Sequence, residues 1–101
     1  MNLLQETIKK LDENGKSLSD VQFVMAGDSH GLYEIPLDAF LILSNIDYDN
    51  DYGSAEINTS LTVVGAGWWL ERAEYDGSEW WEYKETIKKP KAVYIPKSLK
   101  I

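Results

Sequence analysis

Apolar and polar positions along this 101-residue chain change period several times, and each change marks an element. Residues 2 to 13 place Leu3, Leu4, Thr7, Ile8 and Leu11 at helical spacing, with Asn2 as an N-cap and Asn14-Gly15 as the stop. This predicts a first helix whose outer face, Glu6, Lys9, Lys10 and Glu13, is solvated. Residues 17 to 20 read as a turn. Residues 21 to 26, Val-Gln-Phe-Val-Met-Ala, have strand composition, and a five-residue connection, Gly27-Asp28-Ser29-His30-Gly31, leads to a short strand over 32 to 35. Pro36 suits the first turn of a second helix over 37 to about 45, while the run Ala39-Phe40-Leu41-Ile42-Leu43 equally fits a buried strand. Residues 56 to 64 read as a strand with Ile57, Leu61 and Val63 on one face. After Pro90, residues 92 to 95 predict a last short strand that Pro96 ends or confines to an edge.

The sharpest local signal lies at residues 68 to 84, where Trp68-Trp69 and Trp80-Trp81 flank Asp76-Gly77 and acids are interleaved throughout. Asp-Gly supplies the two positive-φ positions of a type I′ turn, whose twist matches its flanking strands. Strands over 68 to 75 and 78 to 85 follow, and Tyr75 then faces Ser78, Ala73 faces Trp80, Arg72 faces Trp81 and Leu70 faces Tyr83. A three-residue loop with Gly77 as a bulge shifts this pairing by one, and the opposed like charges Glu71/Glu82 and Glu74/Glu79 weigh toward that register.

In the two-residue register one hairpin face carries Trp68, Leu70, Arg72, Trp81 and Tyr83. The other carries Trp69, Glu71, Ala73, Tyr75, Trp80 and Glu82. The first has more apolar mass and lets Arg72 stack on Trp81, so it is assigned to the core. The second is assigned to solvent and to binding. The competing reading makes Trp69 and Trp80 core or core margin, which is common for aromatic side chains on a half-buried sheet. Taken together the elements predict one α+β domain over residues 1 to 101: an N-terminal helix, a second short helix, and an antiparallel sheet of four or five strands centred on the Trp-rich hairpin.

Composition narrows the classes of function. With 44% hydrophobic residues the chain is long enough to bury a core without a metal or a staple. It has no cysteine, which excludes disulfides, thiolate metal sites and cysteine nucleophiles. No stretch approaches 18 apolar residues and no basic-then-apolar leader opens the chain, so neither a membrane span nor a signal peptide is expected. The net charge of −7 is unevenly spread. Residues 88 to 101 hold five lysines and no acid, leaving five basic against seventeen acidic groups in residues 1 to 87, a body at −12. A field of that sign repels nucleic acid and attracts basic protein surfaces, including the clefts that hold nucleic acid; plain solubility is the other reason for it.

Candidate chemistry adds little to this. Asp47, Asp49 and Asp51 alternate as in the opening of a calcium loop, but the sixth and twelfth positions are Tyr52 and Asn58 where such a loop needs Gly and Glu. The segment is therefore read as an anionic, partner-facing turn. His30 is the one histidine, and Asp28-Ser29-His30 are too close in sequence to point at one another in series as a catalytic triad. Phosphate-binding loops, dinucleotide fingerprints and zinc spacings are absent. Glu71 and Glu82 form a carboxylate pair, but a hairpin offers no deep cleft to raise an acid's pKa. A non-enzymatic protein without cofactor or metal is expected.

The stretch Gly67-Trp68-Trp69-Leu70-Glu71-Arg72 followed by Glu74-Tyr75-Asp76-Gly77-Ser78-Glu79-Trp80-Trp81-Glu82-Tyr83-Lys84, on a short acidic chain without cysteine, resembles small proteins encoded by bacteriophages and prophages. That group includes anti-CRISPR and other anti-defence inhibitors. The resemblance covers about one sixth of the chain and carries over no functional residues. It implies a stoichiometric inhibitor, in the host cytoplasm, of a CRISPR effector or other nuclease with a basic surface. A toxin-neutralising immunity protein and a structural or assembly phage protein are the alternatives. The residues expected to meet the partner are Asp47, Asp49, Asp51, Trp69, Glu71, Tyr75, Trp80 and Glu82, on a monomer or small homo-oligomer.

Overall fold

The computed structural model describes residues 1 to 51 and 53 to 100. Helix α1 (Leu3–Glu13) starts where Asn2 Oδ1 accepts the Gln5 N–H at 2.9 Å and stops before Gly15 at φ +69°. Leu3, Thr7 and Leu11, four residues apart, form its buried stripe. A single 3-10 turn, Leu18–Asp20, follows, held by the Ser17 N–H on the Asp20 carboxylate at 2.8 Å.

Strands β1 (Val21–Asp28) and β2 (Gly31–Ile35) are joined by two residues, Ser29 and His30, where the sequence suggested five. Asp28 Oδ1 accepts the His30 N–H at 2.8 Å, and this side-chain turn lets pairing run out to Asp28 opposite Gly31. Helix α2 (Leu37–Leu43) follows Pro36, whose φ of −54° suits a helix start. The open choice between helix and strand here falls to the helix. Phe40 is buried while Ile42 and Leu43 are exposed, as on a short surface helix and unlike an interior strand.

Strands β3 (Thr62–Gly65), β4 (Trp68–Tyr75) and β5 (Ser78–Glu85) complete an all-antiparallel sheet in the order β2-β1-β3-β4-β5. The strand expected over 56 to 64 is shorter because side chains satisfy its first backbone groups. Glu79 accepts the N–H groups of Glu56 and Ile57 at 2.7 and 3.2 Å, and Asn58 Oδ1 accepts that of Ser60 at 2.9 Å. The strand expected over 92 to 95 is not formed either; those residues are exposed and pair with no strand among the described residues. Prolines on both sides limit it to four residues, and within one molecule these meet no sheet edge among the described residues.

The hairpin takes the two-residue register. Asp76 and Gly77 have φ of +50° and +86°, and every cross-strand pair from Tyr75/Ser78 to Trp68/Glu85 is the expected one. Three of the four opposed carboxylates are met by another partner: Glu71 accepts the Trp69 Nε1–H at 2.8 Å, Glu82 lies 3.2 Å from Lys84 Nζ, and Glu79 lies 3.0 Å from Arg72 Nη2, while Glu74 is exposed to solvent. Trp68, Leu70 and Trp81 join Val24, Ala26, Val63, Leu3, Leu11 and Phe40 in one core, with Tyr83 packed against it. Both helices lie on this face. Close approach decides one residue in particular: a Cβ on Gly65 would fall 2.1 Å from the Trp68 indole, so only glycine lets that ring lie down over β3. Among the described residues, no helix is long and apolar enough to cross a membrane.

Candidate binding surface

Arg72 ties the hairpin to the rest of the fold. Its guanidinium donates to Glu6 Oε1 at 3.0 Å, to Tyr48 Oη at 3.1 Å and to Glu79 Oε1 at 3.0 Å, and it lies over the Trp81 ring at 4.8 Å. Burial alone would lower its pKa, but hydrogen bonds to Tyr48 and Glu6 raise it on balance, so the cation is secure. Tyr48 is pushed up from 10.0 to about 12 by burial and by donating its O–H to Glu6 at 2.7 Å. Trp81 Nε1–H donates to Thr7 Oγ1 at 2.9 Å, and that hydroxyl donates to the Leu3 carbonyl at 2.7 Å. Arg72 Nε is buried without a hydrogen-bond partner among the described residues, but each of these side chains is held by another, which makes the cluster a joint between α1, the 47–51 segment and the hairpin.

With the helices on one face, the other face of the sheet is left without a helical layer. Register and alternation place Phe23 and Met25 of β1, Thr62 and Val64 of β3, and Trp69, Glu71 and Ala73 of β4 there in adjoining rows. Phe23, Met25, Thr59, Thr62, Val64, Trp69 and Glu71 line a shallow concavity of about 470 Å³. The Trp69 ring is half-buried and anchored at one end by its bond to Glu71, so it is held in place rather than free to turn. Beside it, Glu71 and Glu82 form a carboxylate row between the Trp69/Lys84 and Ala73/Trp80 pairs.

Acidic groups collect at one end of the sheet. The β1–β2 turn brings Asp28 there and the hairpin tip brings Glu74 and Asp76, because antiparallel register places both turns at the same end. The 47–51 segment joins them through the Glu79 N–H on the Asn50 carbonyl at 2.9 Å and Ser78 Oγ on Asp51 Oδ1 at 3.4 Å. Asp49 and Asp51 therefore flank the tip, where Tyr75 is 77% exposed. Asp47 sits further back, bridged to Asn2 at the head of α1, and lines with Asp49 and Glu56 a second shallow depression of about 530 Å³. The lysine-rich segment leaves from the end of β5, at the other end of the sheet.

The expected site is thus brought together in part. Trp69, Glu71 and Glu82 share the uncovered face, and Tyr75, Asp49 and Asp51 share the tip. Trp80, opposite Ala73, stands on that same face by register, and its half-buried ring also borders, at the edge of β5, a separate concavity with Gln5, Glu6, Lys9 and Asn50. Phe23, Met25, Thr62 and Val64 were not anticipated as site residues. Their alternation with Val24, Ala26 and Val63 was visible, but a run apolar on both faces does not say which face is covered. Tyr52 lies outside the described residues, and among those described no group of three or more carboxylate or histidine side chains is arranged to hold a metal ion. His30 is exposed, with Nδ1 3.4 Å from Asp28, and no hydrogen bond joins Ser29 to either among the described residues.

Fold and surface together define a two-layer α+β domain with one helix-covered and one helix-free sheet face. Comparison with protein-family models, with curated proteins and with solved structures finds no match.

Proposed function

We propose that this chain is a non-enzymatic, acidic binding protein that sets its helix-free sheet face, centred on Trp69, against a basic surface of a partner protein. The observation that carries the reading is the joining of an uncovered aromatic and apolar concavity to a carboxylate row and an acidic tip on one small domain. Apolar concavities supply affinity and the surrounding charge supplies steering and partner choice. The partner that fits this chemistry is a nucleic-acid-binding enzyme, and the class proposed is a phage-encoded inhibitor of a host defence nuclease, of the anti-CRISPR type, acting in the host cytoplasm. The acidic body itself repels nucleic acid and is not expected to bind it.

Affinity capture from the native host, followed by titration of the recovered enzyme at rising salt, tests this. Binding is expected to weaken steeply as salt screens the acidic end, and the enzyme's nucleic acid is expected to compete. A partner bound with no salt dependence and no competition would refute the electrostatic reading.

A further inference from the structure

The segment after β5 is a surface without a partner. The Thr86 N–H still bonds the Gly67 carbonyl at 2.9 Å, but from Ile87 to Lys100 every residue is exposed. Val93, Tyr94 and Ile95 are 92, 81 and 87% exposed. The chain is consequently extended beyond its compact body, with a radius of gyration of 16.6 Å where a compact chain of this length has about 13 Å. Four apolar or small residues, Ala92-Val93-Tyr94-Ile95, have strand composition, and Lys91 and Lys97 flank them.

At the far side of the sheet, β2 is the terminal strand, with no strand beyond it among the described residues. A two-residue turn makes Asp28/Gly31 a hydrogen-bonded pair, so the N–H and C=O groups of Leu32 and Glu34 point outward from the sheet. Leu32 is 75% exposed, and the strand contains no lysine, proline or bulge of the kind that blunts a free edge. Its charges are negative: Glu34 within it, Asp28 at one end and Asp38 just past the other. Two β2 edges meeting would set Glu34 near Glu34, whereas a lysine-flanked strand meets opposite charge. The edge of β5 is the poorer acceptor, since the Asn50 carbonyl already takes the Glu79 N–H and α1 packs beside it.

We infer that residues 92 to 95 of one molecule, flanked by Lys91 and Lys97, add as a short strand to the β2 edge of a second copy of this chain. Strand addition gives the tail's backbone and its three large apolar side chains the partners they lack, and the basic tail meets the acidic body. A tail in its own molecule starts at the opposite edge of the sheet, four strand spacings or about 19 Å from β2, so the second copy is the nearer fit. This self-association uses no residue of the Trp69 concavity and stands or falls separately from the proposed function.

Sedimentation of the full chain at rising concentration tests it. The native protein is expected to form dimers or longer head-to-tail assemblies that weaken about tenfold or more on going from low to high salt. Val93→Asp with Ile95→Asp changes only exposed positions, so circular dichroism should be unchanged while self-association is lost. Leu32→Pro removes one outward N–H and should block the acceptor edge; Glu34→Lys serves the same purpose through charge if the proline variant does not fold. Mixing a tail-blocked with an edge-blocked protein, each monomeric alone, should restore a one-to-one complex. A native chain that stays monomeric, whether its tail folds back or binds an oligonucleotide instead, overturns the inference. So does a tail variant that associates like the native protein, or a mixture that stays monomeric.

Discussion

Arg72 is the residue on which most of the buried polar structure depends. Its side chain is 3% exposed and faces Glu6 and Glu79, themselves 13 and 3% exposed, so removing the cation leaves two largely buried carboxylates with their hydrogen bonds from Tyr48, Glu56 and Ile57 but without a counter-charge. Arg72→Met is expected to cost about 3–5 kcal/mol, measured by urea unfolding, and adding Glu79→Gln should recover part of the loss by removing one stranded charge. Tyr48 adds a pH dependence. Its folded pKa of about 12 lies above its ordinary 10.0, so the neutral phenol is favoured by folding. That contribution is complete below pH 10 and is lost as pH rises from 10 toward 12. Melting curves across this range should show an alkaline decline for the native protein that is shallower in Tyr48→Phe.

Among the elements, the β3–β4–β5 unit shows most clearly how a short sequence signal becomes packing. Asp76-Gly77 sets the register, the register puts Trp68, Leu70, Arg72 and Trp81 on one face, and Gly65 lets the Trp68 ring reach β3. Gly65→Ala would drive a methyl group into that ring and is expected to cost about 1–3 kcal/mol, read as a lower midpoint of urea unfolding. Trp80→Ala should also lower stability, because this ring is half-buried at the edge of β5. The β1–β2 hairpin and the 56–61 segment are different cases. Their boundaries depend on Asp28, Asn58 and Glu79 side chains standing in for backbone partners, and such bonds carry no periodic signature.

Across the whole molecule, charge and apolar surface are separated in a way that predicts kinetics. Trp69 lies in the concavity, while Asp47, Asp49 and Asp51 lie on the exposed acidic segment. Against the captured partner, Trp69→Ala should mainly raise the dissociation rate, at a cost of about 2 kcal/mol or more in affinity, with the melting temperature little changed. Replacing the three aspartates by asparagine should mainly lower the association rate at low salt. Unfolding of Trp69→Ala, or normal binding by a folded Trp69→Ala protein, would remove this face as the site.

By itself the sequence determined the α+β class, the capped first helix and the hairpin about Asp76-Gly77, because each rests on neighbours close in sequence, such as Asn2 with Gln5; it left two hairpin registers open, and the structure decided for the two-residue one and for Trp68, Leu70 and Trp81 as the core face. Only the tertiary structure decided the order of the strands, the side of the sheet taken by both helices, and so the joining of Phe23, Met25, Thr62 and Val64 to Trp69. The placing of β1 beside β3 depends on contacts between residues about forty positions apart, such as Phe23 with Val64, and hydrophobic period says that a face is apolar without saying what covers it. The same limit applies to Arg72, which the sequence placed against Trp81 but could not place against Glu6 and Tyr48, 66 and 24 residues away. Long-range charge pairing is settled by packing, since many carboxylates of an acidic chain are equivalent partners until the fold chooses among them.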